Sequence, residues 1–188
     1  MATTRRAPAV PSLDADPIGD RWLRWAASFF VIAVLFHNGD HARRGADSVS
    51  ADLFWVGLLG ILVEVGIVVF VFLGHRLSAL AAASTGFSLA GAYVVVHGLP
   101  QRGWLSDPLL ESGSATVSRA TAILLIVAAV ALGMVGAVVL RRRGGLAAAT
   151  VSLGPSRPLA DVLAHPVVIA MIAGNAVIIA LSLADLTG

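Results

Sequence analysis

Residues 53–73 read LFWVGLLGILVEVGIVVFVFL, an apolar run interrupted by a single charge, Glu64. A helix needs roughly 20 apolar residues to cross the hydrocarbon core of a bilayer, and this run supplies them. It predicts a membrane span of about 53–74 with a carboxyl group near its middle. Working outward, comparable runs recur on both sides, separated by segments rich in polar residues, glycine and proline. They predict further spans at about 22–41, 77–99, 119–140 and 166–185.

The composition agrees. A chain of 188 residues that is 57% hydrophobic and only 13% charged, with a mean hydropathy of +0.87, is far more apolar than a soluble domain. The expectation is an all-α integral membrane protein, a bundle of five transmembrane helices. Residues 1–20, rich in Ala, Pro, Asp and Arg, read as a disordered cytoplasmic tail ahead of one transmembrane domain, 21–188. The run from Trp22 to Phe36 follows a long polar region and precedes no small-residue cleavage pattern, so it reads as a retained anchor.

The chain has no cysteine and its basic residues are all arginine, which excludes disulfides, thiolate metal sites and lysine Schiff bases. An arginine-only basic set suggests a GC-rich bacterial genome, hence a bacterial inner membrane. The pI of about 10.4 does not indicate a nucleic-acid partner, because the arginines flank apolar runs and form no patch on a soluble face. They act as topology signals. With a cytoplasmic N-terminus, Arg5, Arg6, Arg21, Arg24, Arg76, Arg141, Arg142, Arg143 and Arg157 fall inside, and Arg43, Arg44, Arg102 and Arg119 fall outside. The excess inside favours that orientation in the plasma membrane, with the C-terminus outside. The adjacent pair Arg43 and Arg44 sits awkwardly with it.

Polar chemistry concentrates after the first apolar run, in FHNGDHARRG, residues 36–45. For the first span to cross the core it must draw in residues beyond Phe36, which puts His37 at the outer edge and Trp22 and Trp25 at the inner interface. If the helix continues through Asn38 and Gly39, His37 and His41 share a face at i and i+4 with Asp40 beside them. That spacing can chelate a divalent transition metal, and His97, at the outer end of the third span, can supply a third nitrogen. The same histidines also suit b-type haem, with His37 facing His97 and His75 facing His165. Alternatively, Asn38 and Gly39 stop the helix, and the polar residues are a helix end with solvated loop charges.

Within the spans, Gly57, Gly60 and Glu64 share a helix face, which predicts packing against other helices, and His75 continues that face about three turns on. Ala82, Gly86, Ala90, Tyr93 and His97 form a second stripe, and Ala129, Gly133 and Ala137 a third. Asn175 in the last span lies at the depth of Glu64 and is the expected partner for it, with Tyr93 as the other choice. Trp104 and Leu105 are expected to dip into the interface, and residues 159–164 to form a short surface helix. No nucleophile elbow, phosphate loop or dinucleotide motif occurs.

Three functions fit these residues. The first is a small metal-binding or redox membrane protein using His37, Asp40, His41 and His97, with Glu64 exchanging protons. The second is an accessory or assembly subunit whose small-residue faces bind a membrane partner subunit or a second copy in a homo-oligomer. The third is a proton-coupled permease centred on Glu64 and Asn175.

Overall fold

The computed structural model describes residues 16–45, 48–99, 106–109, 115–146 and 157–187. The expected tail at 1–15 and the interfacial Trp104 and Leu105 lie outside these residues. The described residues are helical with no strand. In chain order the helices are α1 (Pro17–Arg44), α2 (Ala51–Phe72), α3 (Ser78–Tyr93, running on into a π-helical turn, Val94–Gly98), α4 (Thr116–Arg142), the short α5 (Leu159–Leu163) and α6 (Pro166–Thr187).

Four of these, α2, α3 with its π-turn, α4 and α6, are long and apolar enough to cross a membrane. Their outward residues are large and apolar, including Leu59, Leu62, Met134, Val177 and Leu181, so they face lipid. At 28 residues α1 has the length as well, but Arg24 and the polar tract from His37 bound its apolar stretch. It begins at Pro17, inside the expected tail, because Asp16 caps it by accepting from the Gly19 N–H at 2.9 Å and proline is well placed in a first turn.

The helix does not stop at Asn38 and Gly39. The Asn38 side chain donates to Asn175 Oδ1 on α6 at 2.8 Å, so it does not compete for its own backbone. The helix ends six residues later at Gly45, whose φ of 86° is the left-handed conformation glycine adopts freely.

The tightest seam joins α3 to α4. A side chain at Gly86 would strike the backbone of Gly133 and Ala129, and one at Gly136 the backbone of Ala79, Ala82 and Ala83. The stripe on α4 is therefore Ala129, Gly133 and Gly136. Strict four-residue spacing pointed to Ala137, but an α-helix repeats every 3.6 residues and its contact face drifts accordingly. Phe30, Val34, Leu125, Leu132 and Met171 fill the core between α1, α4 and α6. By contrast, Gly57 and Gly60 on α2 meet nothing within 4 Å, so the expected packing face there borders open space.

One end of the bundle is clamped by ion pairs between the start of α1 and the end of α4. Arg142 reaches Asp16 at 3.4 Å and lies 5.0 Å above the Trp22 ring, and Arg143 pairs with Asp20. Acids at a helix N-terminus and arginines at a C-terminus also complement the two helix dipoles. His75 and His165 lie near the end of α2, where their rings stack on Phe70 and Phe72.

Each of these histidines accepts a backbone N–H through Nδ1, from Leu77 at 3.1 Å and Val167 at 3.3 Å. Burial, then Arg157 and Arg24, hold the His165 imidazole below its usual value of 6.5. The unfolded chain therefore takes up this proton at a higher pH than the folded one, and the native state loses stability as pH falls below about 6.5. In paired thermal melts, His165→Asn, which keeps an acceptor without a titration, is expected to flatten that decline.

Candidate metal centre

His37 and His41 lie one turn apart on α1, and the π-turn at the end of α3 delivers His97 to the same point. One ring nitrogen from each falls within 4.8 Å of the others. His37 Nε2 and His41 Nε2 are 3.1 Å apart, and the ring centroids of His37 and His97 are separated by 4.7 Å in an edge contact. Ligands about 2.0–2.1 Å from a tetrahedral metal stand about 3.3 Å from one another, so the His37–His41 spacing is close to what a shared ion requires.

The surrounding hydrogen bonds assign the protons. His97 Nδ1 lies 2.9 Å from the Asp107 carbonyl oxygen and donates to it, which leaves Nε2 with its lone pair. A ligating histidine is normally oriented in this way. Arg44 Nη2 lies 2.8 Å from His41 Nδ1 and can only donate, so neutral His41 carries its proton on Nε2 and donates to His37 Nε2. The His37 proton is then on Nδ1, which is buried and without a hydrogen-bond partner. Two of the three imidazoles thus present lone pairs as they stand, and His41 can ligate through Nε2 only when its proton moves to Nδ1 and Arg44 turns away from that nitrogen.

Asp40 is buried but stands outside the trio. Its Oδ1 accepts from Arg43 at 2.7 Å and 3.0 Å, and its Oδ2 lies 3.3 Å from Arg44 Nε. Arg44 also reaches Asp107 Oδ2 at 2.8 Å. Arg43 and Arg44, awkward as loop charges, are therefore held by Asp40 and Asp107. Asp107 was visible in the sequence only as a loop acid, and its role follows from a contact with α1 that no spacing encodes.

No protein-family model, curated protein or solved structure matches this chain. What the site can do is read from its own geometry.

The haem arrangement does not form. Rings in edge contact leave no plane for a porphyrin between His37 and His97, and His75 and His165 spend Nδ1 on local turns. Glu64 and Asn175 are not paired either. Asn175 accepts from Asn38 and donates to the Met171 carbonyl at 2.9 Å, while the Tyr93 hydroxyl donates to Glu64 Oε1. Of the two partners foreseen for Glu64, it is tyrosine that reaches it.

A cavity of about 220 Å³ connects the groups that remain. The three histidines line it together with Glu64, Tyr93 and apolar side chains of α2, α3 and α6. A metal on the three imidazoles would thus keep an open position toward a partly open, largely apolar space. Three protein ligands with an open fourth position are typical of reactive metal centres, whereas structural sites are closed.

Proposed function

We propose that this protein is a small five-span membrane protein of the bacterial inner membrane that binds a divalent transition metal through His37, His41 and His97 at its outer edge. The observation that carries the reading is the convergence of three ring nitrogens, from two helices, within 4.8 Å. Asp40 serves as the counter-ion that holds Arg43 and Arg44, and Asp107 orients His97 through its carbonyl. The metal would act as a Lewis acid or redox centre at the mouth of the cavity.

The orientation with N-terminus inside is supported by the arginines. Arg43 and Arg44 count against it, though Asp40 and Asp107 hold them in ion pairs, while Arg76, Arg141, Arg142, Arg143 and Arg157 on the other side outnumber them. The accessory-subunit reading loses two of its small-residue faces, because α3 and α4 spend theirs on each other, and keeps only that of Gly57 and Gly60 on α2. The permease reading loses its Glu64–Asn175 pair.

Equilibrium dialysis of the detergent-purified protein against Zn²⁺ is expected to retain one ion per chain, and Co²⁺ is expected to give the visible bands of a tetrahedral site. Alanine at His37 or His97 should weaken binding by roughly 100-fold or more with the helical circular dichroism unchanged. Because imidazole ligates only in its neutral form, affinity should fall as pH is lowered into the range where the histidines protonate, and should level off above it. Retention of no stoichiometric metal by the wild-type protein at mildly alkaline pH would remove this function.

A further inference from the structure

The cavity holds more polar chemistry than a metal site uses. Glu64 is 4% exposed and lines the cavity; the Tyr93 hydroxyl and the Asn38 side chain approach its carboxyl, yet Oε2 makes no well-formed hydrogen bond. His37 Nδ1, on another residue of the same wall, is also buried and unpartnered. Buried polar atoms are nearly always satisfied, and two unsatisfied ones on one apolar cavity point to a molecule that satisfies them.

The cavity opens sideways. Gly57 on α2 and Ala92 on α3 both line it and are both exposed, and α2 leans only lightly on α3. Space remains beside Gly57 and Gly60, where a Cβ would meet nothing within 4 Å. In a bundle whose outer faces meet lipid, such an opening admits molecules dissolved in the bilayer.

Size and polarity narrow the occupant. An apolar cavity of about 150 Å³ accepts benzene, so 220 Å³ suits one substituted six-membered ring. A charged headgroup would leave its charge among apolar side chains at high cost. A phenolic hydroxyl is donor and acceptor at once, and so can serve either the Glu64 carboxyl as donor or the His37 N–H as acceptor. We infer that this cavity binds the hydroxylated aromatic ring of a lipid-soluble phenol, which enters from the bilayer between α2 and α3 and leaves its alkyl tail in lipid. The inference goes beyond the metal reading and does not depend on it.

The test uses the full chain in lipid nanodiscs, with 4-octylphenol and octylbenzene as probes and zinc retention measured on the same samples. The phenol is expected to bind saturably at about one per chain and to raise the melting temperature, as a ligand of the folded state must. Octylbenzene, lacking the hydroxyl, should bind about tenfold more weakly, and Glu64→Gln should weaken the phenol to a similar degree. Gly57→Leu with Gly60→Leu fills the cavity without touching backbone and should abolish phenol binding while zinc is retained. Equal binding of the two probes, or unchanged phenol binding by the double-leucine variant, overturns the inference. Loss of zinc with intact phenol binding would count against the metal site alone.

Discussion

Leucine at Gly86 or Gly136 is expected to empty the membrane of folded protein. At both positions the added atoms meet main chain of the facing helix, Gly133 and Ala129 in one case and Ala79, Ala82 and Ala83 in the other. A side chain can rotate away from an intruder, but a helix backbone can yield only by moving as a body. Doing so would open the α3–α4 seam, where contact between small residues replaces the hydrophobic drive that lipid cannot supply. Overpacking in a well-filled core costs about 1–3 kcal/mol, and with backbone on the receiving side the cost should reach the top of that range or pass it. The measurement is the yield of monodisperse protein in mild detergent, followed by unfolding in increasing SDS. Gly57→Leu is the matched control, since a Cβ there meets nothing within 4 Å and should leave both readouts near wild type. Equal behaviour of Gly57→Leu and Gly86→Leu would mean that the seam is not where the bundle is held.

The second large effect belongs to Arg44. Its guanidinium touches Asp40 Oδ2, Asp107 Oδ2 and His41 Nδ1, joining α1 to the loop ahead of α4. Asp40 keeps Arg43 if Arg44 is lost, but Asp107 is left with imidazole neighbours His41 and His97 at 3.8 Å. Stranding a buried charge typically costs roughly 3–5 kcal/mol, and Arg44→Leu should destabilise the protein by an amount of that order. Arg44→Lys should recover only part, because one ammonium cannot reproduce a planar fork that serves two carboxylates and a ring nitrogen. Arg44→Leu combined with Asp107→Leu should be more stable than Arg44→Leu alone, because the stranded charge has gone. SDS unfolding of the three variants measures these differences. A cost below about 1 kcal/mol for Arg44→Leu would show that the network behaves as an exposed surface pair.

The sequence disclosed the spans because bilayer thickness fixes their length, and the apolar runs carry that length in plain view. Four of the predicted spans match helices that are long and apolar enough, within a few residues at each end. The His37, His41 and His97 cluster was also legible, since helical spacing put the first two on one face and the up-and-down order of spans brought the third to the same end. Long-range choices were not legible. Whether α1 passed through Asn38 and Gly39 depended on Asn175, far away in the chain and on another helix. Whether Glu64 met Asn175 or Tyr93 depended on how α6 is rotated about its axis, which a helix apolar on nearly every side does not encode. The glycines were the hardest to read. Gly57 and Gly86 sit in similar stripes, yet one borders a cavity and the other the backbone of α4.

The π-turn at Val94–Gly98 makes the histidine cluster sensitive to the winding of a single helical turn. An α-helix advances about 100° per residue, whereas a π-turn accommodates an additional residue within one widened loop of backbone. Deleting a single valine from the run Val94, Val95, Val96 would remove that additional residue and leave the histidine facing nearly as before, whereas rewinding the full-length segment as regular α-helix would re-aim His97 around the helix axis while Tyr93 kept its place beside Glu64. In both cases the span would remain apolar and long enough for the bilayer, but only the rewound segment would turn its imidazole in another direction. The convergence of the three imidazoles can therefore be lost with no change of amino acid at any histidine, only a change in how this one turn is wound.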